Sequence, residues 1–161
     1  MGRGRQTTTK QVRVDLEPVK CYPAVIREKV RYSDTDRQGH VNNVAFAVFF
    51  EAGRVEILFC SGIKLNPAGT EFVLARSNIE LLGQLRWPGE VLIGSRVEKL
   101  GRSSISLRQA IFQEDRCAAV CDSVMVLIRA RTGASTPIGA RARAFLQSLQ
   151  RPTPSHVENT D

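Results

Sequence analysis

Two carboxylates, an imidazole and three carboxamides share one short stretch: Tyr32-Ser33-Asp34-Thr35-Asp36-Arg37-Gln38-Gly39-His40-Val41-Asn42-Asn43. Carboxylates serve as nucleophiles or general bases, and an imidazole moves protons near neutral pH. The stretch runs directly into an apolar segment, Val44 to Cys60, that reads as a helix. Either Asn42 or Asn43 can cap that helix by accepting from its free backbone N–H groups. The first turn then presents unpaired donors and a partial positive charge, with an acid a few residues upstream. A base or nucleophile facing a ready-made oxyanion site is the arrangement acyl transfer needs.

The elements around this stretch must hold it in place. The helix is expected from about Asn43 to Ser61, with Gly62 as its stop. Val44, Val48, Val55, Leu58 and Phe59 form one stripe, and Phe46, Phe49, Phe50 and Ile57 fill much of the rest. A helix apolar nearly all round is expected to be buried. Glu51 and Arg54 are its polar exceptions, spaced to pair with each other or to face one site. Strands are expected over 24–31, 71–82, 90–100, 103–113 and 116–131, separated after the helix by Trp87-Pro88-Gly89, Gly101-Arg102 and Glu114-Asp115. Arg76, Asn78 and Glu80 share one side of their strand. Thr136-Pro137 reads as a cap and first-turn proline for a helix over 137–149. The pattern is α+β: a single antiparallel sheet wrapped around a long central helix. The open edges of such a sheet call for pairing with a second copy.

Composition narrows the classes. A chain of 161 residues with 42% hydrophobic content builds one globular core. The expected division is a basic arm over 1–20, a folded domain over 21–150 and a polar tail over 151–161. No apolar run reaches the ~20 residues of a membrane span, and the first ten residues carry no secretory signal. Cys21, Cys60, Cys117 and Cys121 form no Cys-x-x-Cys pair, which fits buried free thiols and a cytoplasmic setting. Cys117 and Cys121, four apart on a strand, are expected on one face. The net charge of +7 favours an anionic partner. One Trp and two Tyr supply little for stacking bases, which argues against nucleic acid.

Each candidate has a plain alternative. Asp36 reads as a catalytic acid or as a turn stabiliser. Residues 34–39 imitate the opening of a calcium loop, but the twelfth position is Ala45 where a bidentate Glu is required, so Asp34 reads as structural and no metal is expected. His40 reads as a proton carrier, a substrate contact or a loop residue bonded to backbone. A zinc site would need His156, far off in the tail. Glu51 reads as a site acid or as the structural partner of Arg54. Gly101-Arg102-Ser103-Ser104 is a polar hairpin turn that could hold phosphate. Serine-hydrolase elbows, phosphate loops and dinucleotide fingerprints are absent from the sequence.

The run from Asp34 to Asn43, followed by Phe49-Phe50-Glu51-Ala-Gly-Arg54, resembles the 4-hydroxybenzoyl-CoA thioesterase branch of the hot-dog fold. It is also similar to the matching segment of plant acyl-carrier-protein thioesterases. The sharp likeness covers roughly residues 30–60, and the strand pattern extends it to about 131. It implies a hot-dog sheet around the helix and subunits paired edge to edge, as homodimer or homotetramer, with the site at their junction. Asp36 takes the position of the catalytic carboxylate, and the N–H of Asn43 that of the oxyanion donor. His40 matches a histidine of the plant motif, although Gln38 stands where that motif has Asn. His40 and Asn42 would shape the loop and position substrate, and Glu51 matches an acid of the family helix. Arg102, Ser103 and Ser104, with Lys99, would border the coenzyme A groove. The implied activity is hydrolysis of an acyl-CoA, with coenzyme A as part of the substrate and no separate cofactor. A non-catalytic acyl-CoA-binding module and an acyl-carrier-protein thioesterase are the alternatives.

Overall fold

The structure is a computed structural model that describes residues 16–150. Five strands, β1 (Ala24–Val30), β2 (Thr70–Leu81), β3 (Gly89–Leu100), β4 (Ser104–Gln113) and β5 (Arg116–Arg129), form one antiparallel sheet in the order β1-β3-β4-β5-β2. Helix α1 (Asn43–Val55) lies against its inner face, and a short α2 (Ala140–Ser148) closes the end remote from the start of α1. This is the wrapped-sheet arrangement that the resemblance implies. Within the expected arm and tail, residues 1–15 and 151–161 lie outside the described residues. Val19 and Tyr22, where the arm gives way to the domain, pack on the outer face against Ala110, Phe112 and Val120. Burial pushes the Tyr22 phenol up to about 12, partly offset by the nearby Arg108, and the Arg96 guanidinium lies 5.4 Å from its ring centre.

Alternation of side chains decides what the helix covers. Val91, Ile93, Ser95 and Val97 of β3 point inward, as do Ile105, Leu107, Gln109 and Ile111 of β4, all essentially inaccessible. Val91, Ile93, Ser95, Gln109 and Ile111 face Phe46, Phe49, Phe50 and Gly53 of α1, whereas Val97, Ile105 and Leu107 pack with Ile57 and Leu58 beyond it. Two apolar clusters result. One gathers Phe46, Phe50, Val41, Leu85, Val91 and Ile93 near the start of α1. The other gathers Ile57, Leu58, Leu65, Ile105, Leu127 and Leu146 at the far end.

The sequence-based expectations need four corrections. First, α1 is regular only to Val55, and Glu56–Cys60 form a π turn before Gly62 ends the helix at φ +73. The wider π turn rotates Leu58 off the stripe and into the core, where it is 2% exposed. Second, the helix is not buried all round. Val44, Val48, Val55 and Phe59 are exposed, because that side turns away from the chain's own sheet. Third, Cys117 and Cys121 lie on opposite faces. A bulge next to Ala118, where pairing shifts from Ile111↔Ala119 to Phe112↔Cys117, breaks the two-residue period. Cys60, moreover, is exposed. Fourth, Thr136 does not cap α2. Its N–H donates to Leu127 O at 2.9 Å, so the segment stays extended and the helix begins after Gly139.

The β4–β5 hairpin turns on Glu114 and Asp115, both left-handed, at φ 50 and φ 62. That geometry favours an Asn followed by a Gly. The double substitution Glu114→Asn with Asp115→Gly is expected to raise stability by about 1–2 kcal/mol, read as a higher denaturant midpoint with an unchanged slope.

Candidate functional site

The loop is built on its two aspartates. Asp34 Oδ2 accepts from Arg31 N at 2.7 Å and its carbonyl from Asn42 N at 2.8 Å, so Asp34 ties the loop's two ends together. Asp36 closes the tip. Its N–H donates to His40 O at 2.8 Å, its carbonyl accepts from Gly39 N at 3.1 Å, and Gly39 supplies the φ of +79 that the turn demands. Asp36 Oδ1 accepts from Gln38 N at 2.7 Å and from His40 N at 3.3 Å. Its Oδ2 has no partner among the described residues, and the side chain is exposed. The turn-stabilising and chemical readings of Asp36 are therefore compatible: one oxygen holds the turn and the other is free.

The sheet fixes the loop's position. Val41, 5% exposed, packs with Val30, Leu85 and Val91, and its N–H donates to Leu85 O at 3.0 Å. His40 bridges Arg86 through the backbone. Its ring is half-buried and has no hydrogen-bond partner among the described residues.

Asn42, rather than Asn43, is the cap. Its Oδ1 accepts from Val44 N at 3.0 Å and its carbonyl from Ala45 N at 2.9 Å. Asn43 is then the first helical residue, and its N–H has no acceptor among the described residues, as expected at a helix start. Asn42→Ala is expected to cost about 1 kcal/mol of stability, measured by denaturant unfolding.

A cleft of about 490 Å³ joins these groups. Asp36, Gln38, His40, Val41, Asn43 and Phe46 form one side of its lining, and Leu81 to Gln84 the other. The second wall did not emerge from motif reading. Its only sequence signal is the break of an apolar strand at Leu81-Leu82-Gly83.

Other candidates stand apart. Glu51 is exposed and does not line the cleft. The expected Glu51–Arg54 pair is absent among the described ion pairs. Arg54 is buried and donates instead to Gln109 Oε1 at 3.2 Å, because it projects onto the sheet while Glu51 projects to solvent. Burial lowers the Arg54 pKa, partly offset by the nearby Cys121 and Glu51. Arg102 is exposed at the β3–β4 turn. Arg143 secures that turn by donating to Gly101 O at 2.7 Å, and Ser103 O accepts from Leu127 N at 2.8 Å. The turn, with Ser103 and Ser104, lies at the opposite end of β3 from the cleft, about 36 Å away along the strand. One protomer thus does not bring Arg102, Ser103 and Ser104 to Asp36. No group of three His, Cys, Asp or Glu side chains among the described residues could hold a metal, and His156 lies outside them. None of the described helices is long and apolar enough to cross a membrane.

Residues 38–119 match the family model described as the thioesterase superfamily. The chain belongs to the thioesterase superfamily. The match starts at the cleft's Gln38, two residues after Asp36, and ends in β5. Solved structures share this superfamily chain's fold. A protein of Pseudomonas aeruginosa strain PAO1 has a TM-score of 0.76 and 25% identity, covering 84% of this chain and 97% of its own. A Thermus thermophilus thioesterase, crystallised with coenzyme A and zinc, has a TM-score of 0.68 and 27% identity, covering 78% and 98%. A curated Aquifex aeolicus protein with the provisional name of an esterase is 26% identical over 110 residues, 66% of this chain and 86% of its own. With the antiparallel sheet and its helix, these findings make the fold a hot-dog fold.

Proposed function

We propose that this superfamily chain is an acyl-CoA thioesterase that releases a free acid and coenzyme A by hydrolysis, with Asp36 as base or nucleophile. The observation that carries the reading is the cleft itself. Asp36, whose Oδ2 is free, and Asn43, whose N–H is open, line the same space. A thioester carbonyl seated there would meet an acid at carbon and a helix-start donor at oxygen, where positive dipole character stabilises a developing oxyanion. As base, Asp36 would take a proton from water as the oxygen attacks the carbonyl. Collapse of the tetrahedral adduct then expels the coenzyme A thiolate. The half-buried His40 is placed to help position substrate or to protonate that thiolate.

The catalytic unit in this proposal is a homodimer or a larger homo-oligomer. β2 is an open edge of twelve residues, and the exposed side of α1 has no cover in one chain. Antiparallel pairing of two β2 edges would carry the partner's far end toward the cleft, which would return the Arg102 turn to the substrate's phosphates. A screen of aromatic, short and long acyl-CoAs for thiol release tests the activity. Binding without release in every case would favour the non-catalytic module, and release only from acyl carrier protein would favour the second alternative.

A further inference from the structure

A polar belt crosses the inner face between the two apolar clusters. Strand register sets Gln109 between Ser95 and Cys121, and one pair further along it sets Ser123 between Leu107 and Ser77. Over this belt sits Arg54, 7% exposed. Gln109 occupies one of its donors, and no carboxylate among the described residues lies within ion-pair distance of it. The titratable groups that influence it are Cys121, on β5, and the exposed Glu51, on its own helix. Ser123 Oγ, on a residue 1% exposed, has no hydrogen-bond partner among the described residues. Ser77 Oγ meets only the Cys121 sulfur, at 3.4 Å. A buried cation without a counter-ion and a buried hydroxyl without a partner are both costly.

The belt connects with the cleft. Helix α1 lies over β1, β3 and β4, which leaves the inward side of β2 open, with Leu74 and Leu81 each 46% exposed. Leu81 lines the cleft, and Ile79 and then Ser77 follow it along the strand's inward face. Leu81 to Ser77 spans about 13 Å. Asn43 to Arg54 spans about 16 Å along the helix axis, and helical side chains lean back toward the N-terminus. Both rulers end at the same belt.

We propose, building on the thioesterase reading, that the acyl group of the substrate ends in a carboxylate held by Arg54 with the hydroxyls of Ser77 and Ser123. The preferred substrates are then coenzyme A thioesters of long dicarboxylic acids, the second carboxylate lying roughly 13–16 Å from the thioester. A carboxylate supplies the missing counter-charge and accepts from the unused donors, whereas a terminal methyl leaves all of them unpaired.

The test compares thiol release from ω-carboxyacyl-CoA and from methyl-ended acyl-CoA of equal length, using the full chain. Wild type is expected to prefer the carboxylate series at least tenfold in kcat/KM, since a site that binds a polar group discriminates against an analogue lacking it. Arg54→Met is expected to abolish the preference, and Ser123→Ala to weaken it. Should Arg54→Met fold poorly, Ser77→Val on the exposed edge strand is expected to weaken the preference, and a free long dicarboxylic acid is expected to raise the wild-type Tm where its monocarboxylic counterpart does not. Equal hydrolysis of both series by wild type overturns this inference and leaves the thioesterase reading standing. Hydrolysis of neither series, with release from an aromatic or short acyl-CoA, likewise overturns only this inference, and release from no acyl-CoA at all overturns both.

Discussion

Asp36→Asn is expected to lower thioester turnover by about 10²-fold or more, the scale of a lost general base, while the protein stays folded. The separation follows from the loop. Asn retains an Oδ1 that can accept from the Gln38 and His40 N–H groups, so the turn that presents the side chain persists. What disappears is the charge and basicity of the unbonded oxygen facing the cleft. The measurement is thiol release from a hydrolysed acyl-CoA, with a thermal melt of the same preparation. A variant with near-normal turnover would remove Asp36 from the mechanism. A large fall in Tm would instead assign the residue to the turn alone.

The second large effect lies in the core. A Cβ at Gly53 would sit 2.6 Å from Gln109 Nε2 and 2.9 Å from both Ile93 Cγ2 and Ser95 Oγ. Helix propensity alone would favour Ala over Gly by about 1 kcal/mol. Overpacking in a tight core costs about 1–3 kcal/mol, and here the contacts surround the added atom on three sides. Gly53→Ala is therefore expected to destabilise by about 2 kcal/mol, lowering Tm by roughly 4–8 °C in a chain of this size. Gln109 also donates to Phe50 O at 3.0 Å and to Ser95 Oγ at 2.9 Å, so its side chain is the clamp between helix and sheet. Relief of the clash would lift α1 and shift Asn43 relative to Asp36, so turnover is expected to fall together with stability. A stabilised Gly53→Ala protein would show that helix and sheet are less closely apposed than these distances require.

The fold was legible because its signals are local. Alternating apolar residues mark β3, β4 and β5, and Asn42 before Val44 marks a helix start whatever surrounds it. Strand ends were off by a residue or two, and the exceptions have specific causes. The π turn at Glu56–Cys60 and the bulge beside Ala118 each alter a repeat by one residue, and pattern reading assumes an unbroken repeat. Thr136-Pro137 carries helix-start chemistry, but the strand pairing of Thr136 N with Leu127 O outweighs it.

The candidate site divides in the same way. Asp34, Asp36, His40, Asn42 and Asn43 are close in sequence, so their grouping was visible before any coordinates. Their residue types also determine the available chemistry: acid, imidazole, cap and free amide. Only the tertiary structure decided what faces them. The wall from Leu81 to Gln84, the pairing of Arg54 with Gln109 instead of Glu51, and the distance of the Arg102 turn all depend on contacts between residues far apart along the chain. Such contacts are selected by the packing of whole elements, and short-range spacing carries no record of that choice.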